Sequence, residues 1–109
     1  MKSVFITEGA GFVPSCLADA LLKTGQYTVV AVDNFITGKR DFLSTHPDYT
    51  FIEGDINSFH QIRPMLEKFH FDYIFHYAAL VGVARTTDNP KLVLDDILGL
   101  QQVFEFAKE

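Results

Sequence analysis

Short apolar runs alternate along the chain with stretches in which apolar residues recur every three or four positions. Four runs, "SVFIT" at 3–7, "YTVVAV" at 27–32, "YTFIE" at 49–53 and "DYIFHY" at 72–77, are rich in β-branched and aromatic residues and read as strands. They are nearly continuous in apolar character, as strands covered on both faces are. Between them fall three stripes at helical spacing: Val13, Leu17, Ala20 and Leu21, closed by Gly25; Phe59, Ile62, Leu66 and Phe69; and Val93, Ile97, Leu100, Phe104 and Ala107. The connection 33–48 is the longest stretch without periodicity, with room for one helical turn around 39–44.

Strict alternation of strand and helix predicts an α/β fold with a parallel sheet, doubly wound, in the order 3-2-1-4. All of 1–109 is expected to form one domain. A right-handed crossover from the last helix would deliver a further strand beside strand four. No further apolar run follows, so strand four is expected to be an apolar edge and the sheet to be incomplete.

Composition narrows the function more than the fold. A net charge of −5 and no basic cluster longer than "KR" at 39–40 argue against a nucleic-acid surface, so any bound anion must be held locally. The single cysteine, Cys16, has no partner for an internal disulfide and is expected in the core. The histidines His46, His60, His70 and His76 make no metal signature, and His76 reads as a hydrogen-bonded structural residue. The apolar stretch 4–6 is too short for a signal peptide or a membrane span, which gives a cytoplasmic expectation.

The stretch "ITEGAGFVPS" at 6–15 carries the most chemistry. It follows a strand and opens a helix, where glycines let backbone N–H groups approach an anion such as a pyrophosphate. As G-x-G-x-x-G it keeps Gly9 and Gly11 and has Pro14 in the third place. As T-G-x-x-G-x-x-G it keeps Thr7 and Gly11, with Glu8 and Pro14 replacing glycine. Glu8 is the graver change, because a carboxylate ~5 Å from a phosphate costs about 3 kcal/mol per charge pair at an effective dielectric of about 20. Pro14 sits in the first helical turn, where its missing N–H breaks no intrahelical bond. The plainer reading is a simple strand-to-helix connector.

With this turn, "AVDN" at 31–34, "EGDI" at 53–56 and "HYAA" at 76–79 in order, the chain resembles the N-terminal part of the extended short-chain dehydrogenase/reductase family, the NAD-dependent nucleotide-sugar epimerases and dehydratases. The resemblance extends through "TGKR" at 37–40, "VGVARTTDNP" at 81–90 and "LDDILGLQQVFEFAK" at 94–108. It implies a Rossmann-like domain with Gly9, Gly11, Phe12 and Val13 at the pyrophosphate. Asp33 would accept from the adenosine ribose, selecting NAD over NADP; Asn34, Thr37 and Gly38 continue around the adenosine. Asp55 and Ile56 would meet the adenine, and Tyr77, Ala78, Ala79 and Leu80 would run beneath the cofactor. Simpler roles stand beside these: Asp33 as a loop cap and Asp55 as an N-cap or Asx turn. Arg85 and Thr86 lie on a loop that faces substrate in the family and receive no role. Asp96 stands where many members have asparagine.

The resemblance also implies hydride chemistry assisted by a Tyr-x-x-x-Lys pair. No such pair exists: Tyr27, Tyr49, Tyr73 and Tyr77 are followed four residues on by Ala31, Glu53, Tyr77 and Val81. The expectation is therefore a cofactor-binding part without a catalytic residue or metal, silent by itself, with a nucleotide sugar as partner of a full-length protein and a homodimer formed through the last helix. The competing expectation is a degenerate Rossmann module with an impaired phosphate turn, acting in partner association or redox sensing without turnover. A flavodoxin-like binder is disfavoured by "VDN" after strand two.

Overall fold

The computed structural model describes residues 1–35, 38–77 and 90–108, and for 90–98 the backbone alone. Four strands, β1 (Lys2–Thr7), β2 (Tyr27–Asp33), β3 (Tyr49–Glu53) and β4 (Tyr73–Phe75), form one sheet in the order β3-β2-β1-β4. Every pairing is parallel, with Ile6 opposite Ala31, Asp33 opposite Glu53 and Phe5 opposite Ile74. The helices are α1 (Phe12–Lys23), α2 (Phe59–Leu66) and α3 (Pro90–Ala107). Short 3₁₀ turns at Arg40–Phe42 and Ile56–Ser58 interrupt the connections. The first is the helical turn expected within 33–48.

Strand pleating sorts the core into two layers. From β1, Val4 and Ile6 point to one face and join Val29, Ala18 and Leu22 beneath α1, with Tyr49 packed against them. Phe5 points to the other face and joins Val30, Val32, Ile52, Phe59, Ile62, Leu66 and Val103 beneath α2 and α3. Phe5 stacks on Phe71 at 5.2 Å, and Phe106 of α3 closes edge-on against Phe59 at 5.4 Å. Both faces of β1 and β2 are thus dry, which is why those strands read as unbroken apolar runs.

Helix faces depart from expectation in three places. On α1 the buried positions are Pro14, Ser15, Ala18 and Leu22, whereas Val13 is 59% exposed and Ala20 is exposed. Cys16 is exposed and not core. Ser15 goes inside because its Oγ donates to the carbonyl of Phe12 at 2.7 Å, so its polarity is satisfied locally. Among the described side chains of α3, Val103 points inward, with Phe106 partly covered, while Leu100, Phe104 and Ala107 are exposed; the side chains of Val93 and Ile97 lie outside the described residues. Only α2 buries its stripe as expected, and there Phe69 lies beyond the helix end and is exposed. Strand β4 is also shorter than its apolar run.

Candidate functional site

β1 is the strand at which the order reverses, since β2 lies on one side and β4 on the other. In an open α/β sheet the crevice at the carboxyl end of such a strand is where ligands are held. The residues at that edge are Glu8–Gly11 after β1, Asp33 at the end of β2, Gly54–Ile56 after β3 and His76–Tyr77 after β4.

The turn after β1 is fixed from below. Gly9 N donates to the Val32 carbonyl at 3.0 Å, and Gly11 N to the Glu8 carbonyl at 3.0 Å. A side chain at Gly9 would collide with Cβ of Ala31, so glycine here lets the turn sit directly on β2. Glu8 holds φ at 55°, a left-handed conformation that glycine adopts freely and other residues pay to enter. Glycine was the residue expected at this place, and the backbone shows the reason.

Gly11 caps α1 with its backbone only, and no acidic side chain occupies the first turn. The N–H groups of Phe12 and Val13 open the helix with no preceding intrahelical carbonyl, and both side chains lie exposed, 67% and 59%. Pro14 brings no N–H but is buried, its Cδ 3.4 Å from where a Cβ on Gly11 would stand. It packs the helix start against the turn and leaves the two amides ahead of it uncovered.

Asp33 faces the turn. Its Oδ2 accepts from Ala10 N at 2.9 Å and its Oδ1 from Phe35 N at 2.7 Å, with the residue 4% exposed. The loop-cap reading of Asp33 therefore describes a real bond, one that pins the carboxylate beside the helix N-terminus. Gly38 closes over it: a Cβ there would lie 2.6 Å from Oδ2 and 2.8 Å from Cβ of Ala10. Lys39 N donates to the Ala10 carbonyl at 2.9 Å. Asn34 is exposed beside Asp33.

At the end of β3, Asp55 Oδ1 accepts from Asn57 N at 2.9 Å and caps the 3₁₀ turn, while Ile56 is buried in the core. At the end of β4, Tyr77 N donates to Thr7 Oγ1 at 2.7 Å, and that hydroxyl lies 3.0 Å from Nδ1 of His76. His76 is thus a hydrogen-bonded structural residue tying the end of β4 to buried Thr7. Thr37, Ala78, Ala79, Leu80, Arg85 and Thr86 lie outside the described residues, as does the side chain of Asp96. Among the described residues no group of acids, histidines and cysteines is arranged to hold a metal.

Sequence reasoning passed over Tyr49. Its hydroxyl lies 3.7 Å from where a Cβ on Gly9 would be, buried and without a hydrogen-bond partner among the described residues. Burial, then the charges of Asp19 and Asp33, push its pKa up to about 12. Its place at the start of a strand gave no hint that the ring would reach the turn.

A parallel sheet in the order β3-β2-β1-β4 with a glycine turn after β1 and an acid at the end of the second strand defines a Rossmann-like α/β domain. The sequence profile of the NAD dependent epimerase/dehydratase family matches residues 4–109, and the chain belongs to that family. It is 33% identical over 109 residues to UDP-glucuronic acid decarboxylase 2 of Arabidopsis thaliana, covering 96% of this chain and 23% of that one. An epimerase from Methanothermobacter thermautotrophicus superposes with a TM-score of 0.88 at 33% identity, over 97% of this chain and 31% of its own. A Bordetella bronchiseptica enzyme solved in complex with NAD+ gives a TM-score of 0.77 at 35% identity, over 91% and 32%. The chain corresponds to the N-terminal portion of such proteins, spanning about a quarter to a third of their length.

Proposed function

We propose that this chain binds NAD through the turn at 8–13, as the cofactor-holding part of a nucleotide-sugar epimerase or dehydratase. The observation that carries the reading is the bond from Ala10 N to Asp33 Oδ2. It sets an acceptor for ribose hydroxyls next to the uncovered amides of Phe12 and Val13, which suit a pyrophosphate. The fit is supported by the steric need for glycine at position 9 and by a helix start without a side-chain cap.

The residues divide the work. Phe12 and Val13 supply backbone donors, Asp33 orients the ribose and Asp55 borders the adenine; Ile56, its side chain buried in the core, contributes its backbone there. Gly38 rests on Asp33, so ribose recognition goes with displacement of the 38–39 segment from Ala10. Bound NAD would supply the hydride acceptor. The proton-transfer pair, Tyr-x-x-x-Lys, is not in this sequence, and turnover by the 109 residues alone is not expected. A homodimer through α3 is part of the same reading, supported by Leu100 (37% exposed) and Phe104 (62%), one turn apart on its outer face.

Nitrogen-edited NMR tests the site. Added NAD should shift the amides of Gly9–Val13, Gly38, Lys39 and Ile56 together. Shifts scattered elsewhere, with those amides unmoved, would refute it. A second reading, a module whose phosphate turn no longer binds, rests on Glu8 in its left-handed conformation; under it the same titration moves nothing.

A further inference from the structure

The ends of β2 and β3 carry two carboxylates side by side, Asp33 and its register partner Glu53. The strands are tied there by Gly54 N donating to the Asp33 carbonyl at 3.0 Å. Arg40 is paired with Glu53. Its Nη2 donates to Glu53 Oε1 at 2.6 Å, and its guanidinium carbon stands 4.4 Å from the centre of the Phe35 ring. Phe35 itself holds φ at 63° and donates its N–H to Asp33, so the chain turns back and brings the ring under Arg40. The Phe35 ring also meets that of Phe51, tilted, with centroids 5.4 Å apart. One guanidinium is thus held between an aromatic face and a carboxylate, at the strand end that carries Asp33.

We propose that Glu53 is a cofactor-selecting residue, which keeps Arg40 from serving a 2′-phosphate and so favours NAD over NADP. This rests on the dinucleotide reading above. A guanidinium near the end of the second strand is the group that accommodates a ribose 2′-phosphate in such folds, by bidentate bonds to its oxygens. Here one arm of that fork, Nη2, is already engaged by Glu53, which adds a second negative charge at the register position next to Asp33. A dianionic phosphate entering meets two carboxylates and a cation that is spent on one of them. NAD carries no charge at that position and is indifferent to the arrangement. For stability the pair counts for little, since the two side chains are 69% and 58% exposed.

Calorimetric titration of NAD and NADP into wild type, Glu53→Gln and the double variant Glu53→Gln/Arg40→Gln tests this. Glu53→Gln should strengthen NADP binding about tenfold, the scale of removing one like charge near a dianion at a well-solvated, salt-screened surface. NAD affinity should stay within about twofold and the melting temperature should hardly move. The double variant should lose the gain. The proposal is overturned if Glu53→Gln binds NAD but keeps the wild-type preference, or if both dinucleotides weaken in step. It is equally overturned if the gain survives loss of Arg40, which would hand the role to Lys39. If wild type and both variants bind neither dinucleotide, the cofactor site itself is refuted.

Discussion

Glu8 is the residue at which local and global demands conflict most. The turn requires a left-handed backbone at that position, and a side chain there raises the free energy by about 1 kcal/mol relative to glycine. Glu8→Gly should therefore raise the melting temperature by about 4–8 °C, as scanning calorimetry would show. An unchanged or lower value would mean that the contacts of the Glu8 side chain outweigh its strain. Tyr49 makes a second residue-scale prediction. A phenol whose folded pKa lies near 12, against 10.0 for the free group, binds its proton more tightly in the native state. Its contribution is complete below pH 10 and is lost as pH rises from 10 to 12, on the order of 1 kcal/mol given its partial exposure. Tyr49→Phe should flatten that alkaline decline and leave neutral-pH stability equal or higher, because it removes a buried hydroxyl without a partner. Denaturant unfolding at pH 7 and 11 would reveal the difference; a large loss at pH 7 would mean that the hydroxyl is bonded.

At the scale of elements, the strands were legible because β1 and β2 are dry on both faces, and a continuous apolar run cannot face water on either. Asp33, Asp55 and the glycine turn were legible too, since each ends a strand at the same sheet edge. Helix faces were read less well. In α1, Val13 and Cys16 are apolar by type yet lie outside, while Ser15 lies inside with its hydroxyl turned onto its own backbone. Periodicity gives two neighbouring stripes on such a helix and no means of choosing which one meets the sheet. The pairing of Arg40 with Glu53 and the reach of Tyr49 to Gly9 were invisible for another reason: they depend on how a loop folds back and how a ring leans. Helix α2, whose stripe was read correctly at Phe59, Ile62 and Leu66 but not at Phe69, allows a sharp comparison. Leu66 is fully buried and its neighbour Met65 is 38% exposed. Leu66→Ala should cost about 2–5 kcal/mol, and Met65→Ala no more than about 0.5 kcal/mol, in urea unfolding. Similar losses from both would place α2 at a different rotation.

At the scale of the molecule, the sheet is protected unequally. β1 and β2 are central, whereas among the described residues β4 pairs only with β1 and leaves Tyr73 and Phe75 substantially exposed. An open depression of about 200 Å³ lined by Phe69, Phe71, Ile74 and Phe106 lies beside that strand, away from the glycine turn. Uncovered strand edges and exposed apolar helix faces both favour association. Sedimentation velocity across a range of concentrations should show self-association that Phe104→Lys weakens if α3 carries the dimer; a strictly monomeric protein, or association untouched by that change, would remove α3 from the interface. The fold otherwise serves one end of the sheet, where four strand ends converge and Asp33 is bonded to the glycine turn. That convergence is the basis for assigning a cofactor site, and calorimetric titration of NAD into wild type and Asp33→Asn addresses it most directly. Saturable binding at one site, weakened about tenfold or more by the loss of one charge-assisted bond to the ribose, is the expected result. Absence of saturable heat in the wild type, or equal affinity in the two proteins, would contradict it.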